Sequence, residues 1–306
     1  MGVIGIDTSN YTTSIAFFDG TGGENCSKLL PVKSGELGLR QSDAVFAHIK
    51  SLPELSGRLF SHVRDEIRAV GVSTRPRAVE GSYMPCFLVG LSHAKLLSDA
   101  LHVPLVEVSH QQGHVAASLW SAGHLELMDE PHLAWHLSGG TTELLLVEPE
   151  GKLVKCTKIG GTTDISAGQL IDRTGQLLGL PFPSGKHLDA LSREAAGKDF
   201  FRVKCTDMTF SFSGMQNKVQ QYYEANGDPA ETAAYALRCV AYGVFHATQQ
   251  ALKAYPGLPV VFSGGVASNT LLRQVLEPLN PIFAQPQYST DNAMGVAVLA
   301  SRCTEV

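Results

Sequence analysis

The sequence predicts an α/β fold in which one strand-rich unit occurs twice, giving two lobes with a cleft between them. Three observations carry this. The chain opens on "VIGIDTSNYTTSIAFFDG" (3–20), which reads as strand, turn, strand. The same pattern returns in "HLAWHLSGGTTELLLVEPEG" (132–151), and each copy is followed by helical and strand-like stretches in alternation. The length of 306 residues also exceeds what one core ordinarily organises.

In order along the chain, Val3, Ile4 and Ile6 make a short β-rich run, Asp7-Thr8-Ser9-Asn10 supplies turn chemistry, and Thr12 to Phe18 form the second strand. Apolar Val45, Ile49, Leu52, Leu55, Leu59, Val63 and Ile67 recur near helical spacing, so a helix is expected over 42–69. A short strand at 69–73, a helix at 85–101 and a strand at 104–109 follow, and "SHQQGH" (109–114) opens another helix. After the second strand–turn–strand unit, residues 165–253 read as mainly helical, 259–268 as a strand with a helix behind it, and 290–301 as a last helix returning to the first lobe. Each half is thus expected as a βββαβα-like lobe. The expected division is 1–128 completed by 287–306, and 129–286, without a low-complexity linker.

Hydrophobic residues at 44% and charged residues at 17% describe a globular chain. A net charge of −5 excludes a surface that is basic throughout, though not a local basic groove. Cys26, Cys86, Cys156, Cys205, Cys239 and Cys303 are scattered with no Cys-x-x-Cys pair, which suits thiols better than a disulfide framework. The start has no basic region followed by an apolar one, and no apolar run approaches a membrane span, so a cytoplasmic protein with no membrane partner is expected.

Three turns suggest ligand chemistry. "DTSNYTTS" (7–14) puts backbone N–H groups and hydroxyls between two strands, making Asp7, Thr8 and Ser9 candidate contacts to phosphate or Mg²⁺; an ordinary polar hairpin has the same composition. "LSGGTTE" (137–143) repeats the architecture, with Gly139 and Gly140 permitting close backbone approach. In "FSGGVASNTLLR" (262–273), Gly264 and Gly265 precede a helix N-terminus, a site suited to a phosphate or nucleoside, and Asn269 is placed to bond a ribose or base edge. Neither a Gly-x-Gly-x-x-Gly fingerprint nor a Walker A sequence is present. Together these turns describe a nucleotide cleft of the actin/Hsp70/sugar-kinase (ASKHA) type. "FSFSG" (210–214) reads either as a ligand loop with Lys218 or as a loop anchored in the core by Phe210 and Phe212, and Asp172 is a further candidate for ribose hydroxyls.

His110 and His114 lie four apart on one helical face, the spacing of a metal-binding pair, although an incidental pair is the plainer alternative. The residue after His110 is Gln111, where a zinc protease needs its Glu base, so proteolysis is disfavoured. Asp291 in "STDN" is the candidate for a distant carboxylate ligand.

SHQQGH, LSGGTTE, GGTTDISAGQLIDR, LGLPFPSG, FSFSG, SGGVASN and STDNA stand in the order and at about the spacing of the TsaD family, and the chain resembles that family from residue 2 to about 301. These are tRNA N6-adenosine threonylcarbamoyltransferases, earlier named O-sialoglycoprotein endopeptidases. The resemblance implies one divalent metal, iron or zinc, held by His110, His114 and Asp291. It implies ATP, ADP or threonylcarbamoyl-adenylate, with Mg²⁺ as a further ion, against His136, Leu137, Ser138, Gly139, Gly140, Asp172, Gly185 and Asn269. It implies an acyltransferase acting on the adenosine 3′ of the tRNA anticodon, with tRNA as partner and TsaB- and TsaE-like subunits. It assigns no catalytic side chain. Arg75, Arg77, Lys186, Arg202 and Lys204 are the basic candidates for a tRNA surface.

The chain departs from the family pattern at several points. Asp7-Thr8-Ser9-Asn10-Tyr11-Thr12-Thr13 lacks two acidic groups, Gln112 stands for a Glu, Thr141 for a His, Ile165 for an Asp, and Ser184-Gly185-Lys186 for Gly-Gly-Pro. The alternative to the tRNA transferase is therefore a non-catalytic or regulatory relative that binds metal and nucleotide, or a carbamoyltransferase with another acceptor.

Overall fold

The computed structural model describes residues 1–31 and 39–304, so the last two residues of the expected C-terminal segment 287–306 lie outside the described residues. Two compact units result: Met1–Glu130 with Glu148–Cys156 and Asp291–Val306, and Pro131–Val147 with Thr157–Thr290.

The first unit is built on β1 (Gly2–Ser9), β2 (Thr12–Phe18), β3 (Gly23–Leu29), β4 (Ile67–Arg75) and β5 (Leu105–Ser109), in the order β3-β2-β1-β4-β5. β1 and β2 are buried along their whole length: Val3, Ile4, Ile6, Ile15, Phe17 and Phe18 enter the core, while Asp7, Thr8, Ser9, Thr12, Thr13 and Ser14 are buried polar groups at the hairpin end. β1 runs antiparallel to β2 and parallel to β4, which in turn runs parallel to β5, so β1, β4 and β5 end at the same edge of the sheet with β4 between the other two. The helices α1 (Gln41–His62), α2 (Phe87–Leu101) and α3 (His110–Ala122) connect or follow these strands. Ile4, Ile6, Ile15, Leu52, Leu55, Leu59, Val70 and Val72 form the core between sheet and helices.

The helix expected over 42–69 ends at His62, and the strand expected at 69 begins at Ile67. Val63 and Ile67 continue the helical spacing but reach the same core from an extended backbone, with Val63 at φ −76° and ψ 121°. Periodicity alone does not separate the two conformations, because both bury the same side chains.

The second unit contains β6 (His132–Leu137), β7 (Thr142–Glu150) and β8 (Leu153–Thr162) apart from their joined ends at Glu148–Cys156, then α4 (Ala167–Leu177), α5 (Gly185–Ser192), β9 (Cys205–Thr206), β10 (Thr209–Phe210), α6 (Ser213–Asn226), α7 (Pro229–Ala254), β11 (Val260–Ser263), α8 (Thr270–Leu276) and β12 (Ile282–Phe283). Its strand order is β12-β11-β6-β7-β8-β10-β9. Without the β9–β10 hairpin this is the order of the first sheet read from the other edge, with the same antiparallel first hairpin and parallel later strands. The repeat seen in the two opening hairpins therefore extends to the whole sheet. Trp135, Phe210, Phe212, Phe262 and the Ala-rich face of α7 fill this core, so the Phe residues of FSFSG are core anchors.

The strand expected over 259–268 is only four residues long, because Gly264 takes φ +91° and breaks it before a 3₁₀ turn at Gly265–Ser268. The last helix, α9 (Met294–Thr304), packs in the first unit against β1 and α3, and Asp291 sits in the loop before it and not on its first turn. All six cysteines are free thiols. Among the described residues no helix is long and apolar enough to cross a membrane.

Candidate functional site

The β5–α3 junction presents the His pair. Ser109 ends the strand and caps the helix, its hydroxyl accepting from Gln112 N at 3.2 Å while Gln112 Oε1 accepts from Ser109 N at 2.9 Å. The Gln112 amide also donates to Val154 O at 2.7 Å, within the segment Glu148–Cys156 that groups with this unit. Gln112 is thus committed to capping and packing. His110 and His114, one turn apart, point the same way, with ring centroids 4.3 Å apart and Nε2 atoms at 2.9 Å.

Asp291 reaches this pair from a position 177 residues beyond His114. Its Oδ1 lies 3.2 Å from His114 Nε2 and 3.6 Å from His110 Nε2. Two ligands on one ion with bonds of about 2.0–2.2 Å stand at most about 4.4 Å apart. All three separations fall within that span, and two imidazoles with one carboxylate form a donor set for zinc or iron(II).

Asp7 completes the arrangement. Its Oδ2 is 2.8 Å from His110 Nδ1, and its Oδ1 accepts from Ser9 N at 3.0 Å. A buried carboxylate on one ring nitrogen of a His fixes the tautomer and the direction of the other nitrogen, as it does where that nitrogen holds a metal. Asp7, expected to face phosphate or Mg²⁺, is only 1% exposed and turned to His110. Thr8 likewise spends its hydroxyl on Cys86 O (2.9 Å) and Gly90 N (3.0 Å), and Ser9 Oγ donates to Asp291 Oδ2 at 3.4 Å. Asp7 and Ser9 serve the histidine–carboxylate cluster because the parallel sheet sets β1 and β5 ends near each other through β4.

The electrostatics follow. Burial opposes a charged His110 ring, but the Asp7 charge and the hydrogen bonds that the ring donates to Asp291 and Asp7 outweigh it and raise the ring to about 10. Burial pushes the Asp291 carboxyl up, yet hydrogen bonds and charge from His110 and His114 hold it well below the usual carboxylate range. Asp7 is lowered against its own burial by His110. In metal-free protein a His110 value raised from 6.5 contributes stability that is complete below pH 6.5 and lost as pH rises through about 10. The lowered carboxylates contribute above pH 3.8 and lose their contribution as pH falls. The thermal midpoint in chelator is therefore expected to decline between pH 7 and 10, and a pH series of melts on wild type and His110→Asn checks whether that decline depends on His110. Asp7→Asn keeps the shape and removes the charge, and chelator competition should show metal affinity reduced about 10–100-fold.

The second unit gathers the glycine turns. His136 and Leu137 end β6; Leu137 is in the core, so only its backbone is on offer. Ser138 closes the turn, its N donating to Thr141 O at 2.8 Å and its Oγ accepting from Thr141 N at 3.1 Å. Gly139 and Gly140 are exposed with open space at their Cβ positions. The N-terminus of α4 abuts them: Ser166 Oγ donates to Gly139 O at 2.5 Å, and a Cβ on Gly168 would lie 2.4 Å from Gly139 Cα. Gly264 packs on the same turn, with its missing Cβ 2.1 Å from Leu137 O, while Gly265 is exposed. Asp172 on α4 accepts from Ser184 N at 2.8 Å beside Gly185, the first residue of α5, and burial raises its carboxyl.

Asn269 departs from its expected role. It caps α8 through Leu272 N at 2.9 Å and donates to Asp189 Oδ1 at 2.7 Å, so neither end of its amide is directed to a ribose. Asp189, which sequence reasoning passed over, ties α5 to α8 through Asn269 and Thr270 and pairs with Arg193. Asp164, also missed, accepts from Ser211 Oγ, Phe212 N and Ser213 N at the start of α6, which holds it far below the usual carboxylate range against its burial. Neither has a sequence signal beyond being an Asp near a small-residue turn. Arg75 and Arg77 are exposed in the first unit, and Lys186, Arg202 and Lys204 in the second.

Comparison with known proteins decides the family. The model of TsaD, tRNA N6-adenosine threonylcarbamoyltransferase, matches residues 42–298. The chain belongs to the TsaD family. The tRNA N6-adenosine threonylcarbamoyltransferase of Carboxydothermus hydrogenoformans is 31% identical over 316 aligned positions, covering 96% of this chain and 90% of that one. TsaD is a transferase family, so the chain is a member of an enzyme family. The fold is that of ASKHA proteins. Full-length HypF in its phosphate- and nucleotide-bound form aligns with TM-score 0.63 at 16% identity over 100% of this chain. The chain spans 47% of that HypF. A ROK family glucokinase from Streptomyces griseus, in complex with glucose and AMPPNP, aligns with TM-score 0.56 at 12% identity over 99% of this chain and 100% of that one.

Proposed function

We propose that this TsaD-family chain transfers a threonylcarbamoyl group from threonylcarbamoyl-adenylate to N6 of the adenosine 3′ of the tRNA anticodon, with one iron or zinc ion at His110, His114 and Asp291. The observation that carries the reading is the convergence of those three donors, with Asp7 behind them, in a chain whose residues 42–298 match the family model.

When bound, the ion supplies Lewis-acid polarisation and a template for the acyl donor. The chain's own residues do the remaining work. Asp7 holds His110 Nδ1, which fixes the direction of Nε2. Gly139 and Gly140 offer exposed backbone N–H groups to the phosphate of the adenylate or of ATP or ADP. Asp172, with one oxygen on Ser184 N, has the other for ribose hydroxyls. In the transfer N6 bonds to the carbamoyl carbon, the bond to the adenylate phosphate breaks and a proton leaves the amine. The exocyclic amine is a weak nucleophile, so positioning supplies much of the rate. Exposed Arg75, Arg77, Lys186, Arg202 and Lys204 are assigned to the tRNA backbone, with TsaB- and TsaE-like subunits as partners in the cytoplasm.

Expression in a strain depleted of its own TsaD tests this. Reappearance of the modified adenosine in digested tRNA is expected. Absence of the modification from a well-expressed chain that still binds metal and ATP would overturn the reading in favour of a non-catalytic relative.

A further inference from the structure

The β1–β2 hairpin has two faces, because side chains alternate along a strand. Asp7 and Ser9 face the histidine–carboxylate cluster. Thr8 and Thr13, opposite one another in register, face the other way. That second face is pinned to two helices. Thr8 Oγ1 is held between Cys86 O and Gly90 N of the α2 start, at 2.9 and 3.0 Å. Thr13 Oγ1 meets His48 Nδ1 of α1 at 2.8 Å. The turn residue Asn10 accepts from Gln41 Nε2 at 2.7 Å, and Gln41 lies two helical turns before His48 on the same face of α1.

His48 is unusual in this setting. It is fully buried, with Nδ1 on Thr13 Oγ1 and the Ser9 backbone against the ring. Burial lowers its pKa against the Asp7 charge and the Ser9 backbone, so the ring stays neutral. A buried polar ring is a worse core residue than Leu, unless its contact to the hairpin is needed where it is.

We propose that His48 is a positioning residue of the metal centre: through Thr13 it fixes the depth of the β1–β2 hairpin, and thereby the placement of Asp7 against His110 and of Ser9 against Asp291. The proposal rests on the metal reading above. It adds a residue that touches neither the ion nor its ligands and that lies on the opposite face of the hairpin from them.

Titration of the metal-stripped full chain with Co²⁺, read by its absorption spectrum and by chelator competition, tests it. His48→Leu should lower Co²⁺ affinity on the order of tenfold and alter the spectrum. His48→Asn, whose amide reaches the place of Nδ1, should restore most of both. Thr13→Val should reproduce the loss, and the double variant should add little, since the two residues act as one contact. Unchanged affinity and spectrum in His48→Leu, or in Thr13→Val where His48→Leu does not fold, would overturn the proposal while leaving the metal reading intact. Failure of His48→Asn to restore the spectrum would reduce His48 to a packing role and also overturn it. Failure of the wild-type chain to bind Co²⁺ would overturn the metal reading and this proposal with it.

Discussion

His114→Ala is expected to yield a folded protein without metal. The variant loses one of two nitrogens that stand 2.9 Å apart and leaves His110 paired to Asp7 through its other nitrogen. Loss of an outer partner such as Asp7 costs about 10–100-fold in affinity, so loss of a ligand should exceed about 100-fold. Metal analysis after dialysis should then find about one ion per wild-type chain and close to none in the variant. The fold should persist, because α3 is capped by Ser109 and Gln112 and packed through Val115, Ala116 and Leu119, none of which involves His114. Metal retained at the wild-type level would remove His114 from the ligand set.

Gly264→Ala should be among the most damaging small substitutions in the second unit. The backbone there has φ +91° and ψ 156°, a region that only Gly occupies without strain. The added Cβ would lie 2.1 Å from Leu137 O, a backbone atom of β6 held by the sheet. Strain and overpacking together cost roughly 2–6 kcal/mol, out of a total stability of about 5–15 kcal/mol. The thermal midpoint should drop by roughly 5–20 °C. Adenylate or ATP binding should weaken as well, since the displaced strand end carries Ser138 to Gly140. Gly265→Ala is the control: that position is exposed with nothing near its Cβ, so its change should stay within about 0.5 kcal/mol. Equal melting of the two variants would refute the steric account.

The legible parts of the sequence were those with local causes. The two hairpins show themselves through dense Val, Ile, Phe and Leu around small hydroxyl turns, and the α3 start through SHQQGH following the strand-like run before it. The His110–His114 pair is local as well, because helical pitch alone puts residues four apart on one face. What the sequence did not reveal was set by topology. Asp7 is 103 residues from His110, and only the parallel β1–β4–β5 arrangement brings them together, so from sequence its turn reads as a phosphate contact. Asn269 looked like a ribose ligand because a capping Asn and a ligand Asn have the same sequence setting, and the Asp189 that claims it lies 80 residues away. Asp164 and the FSFSG loop are likewise joined across 47 residues. His48 carried no signal, since a His on an amphipathic helix is an ordinary sight until its burial and its Thr13 partner are known.

The most direct test of metal-dependent transfer is mass spectrometry of tRNA nucleosides after incubation with threonylcarbamoyl-adenylate and TsaB- and TsaE-like subunits. The chain is compared stripped by chelator and reloaded with iron or zinc. The account predicts threonylcarbamoyladenosine from the reloaded protein, and its loss on stripping and in His114→Ala. Equal yields from stripped and reloaded protein, or no product from protein that holds both metal and adenylate, would contradict it.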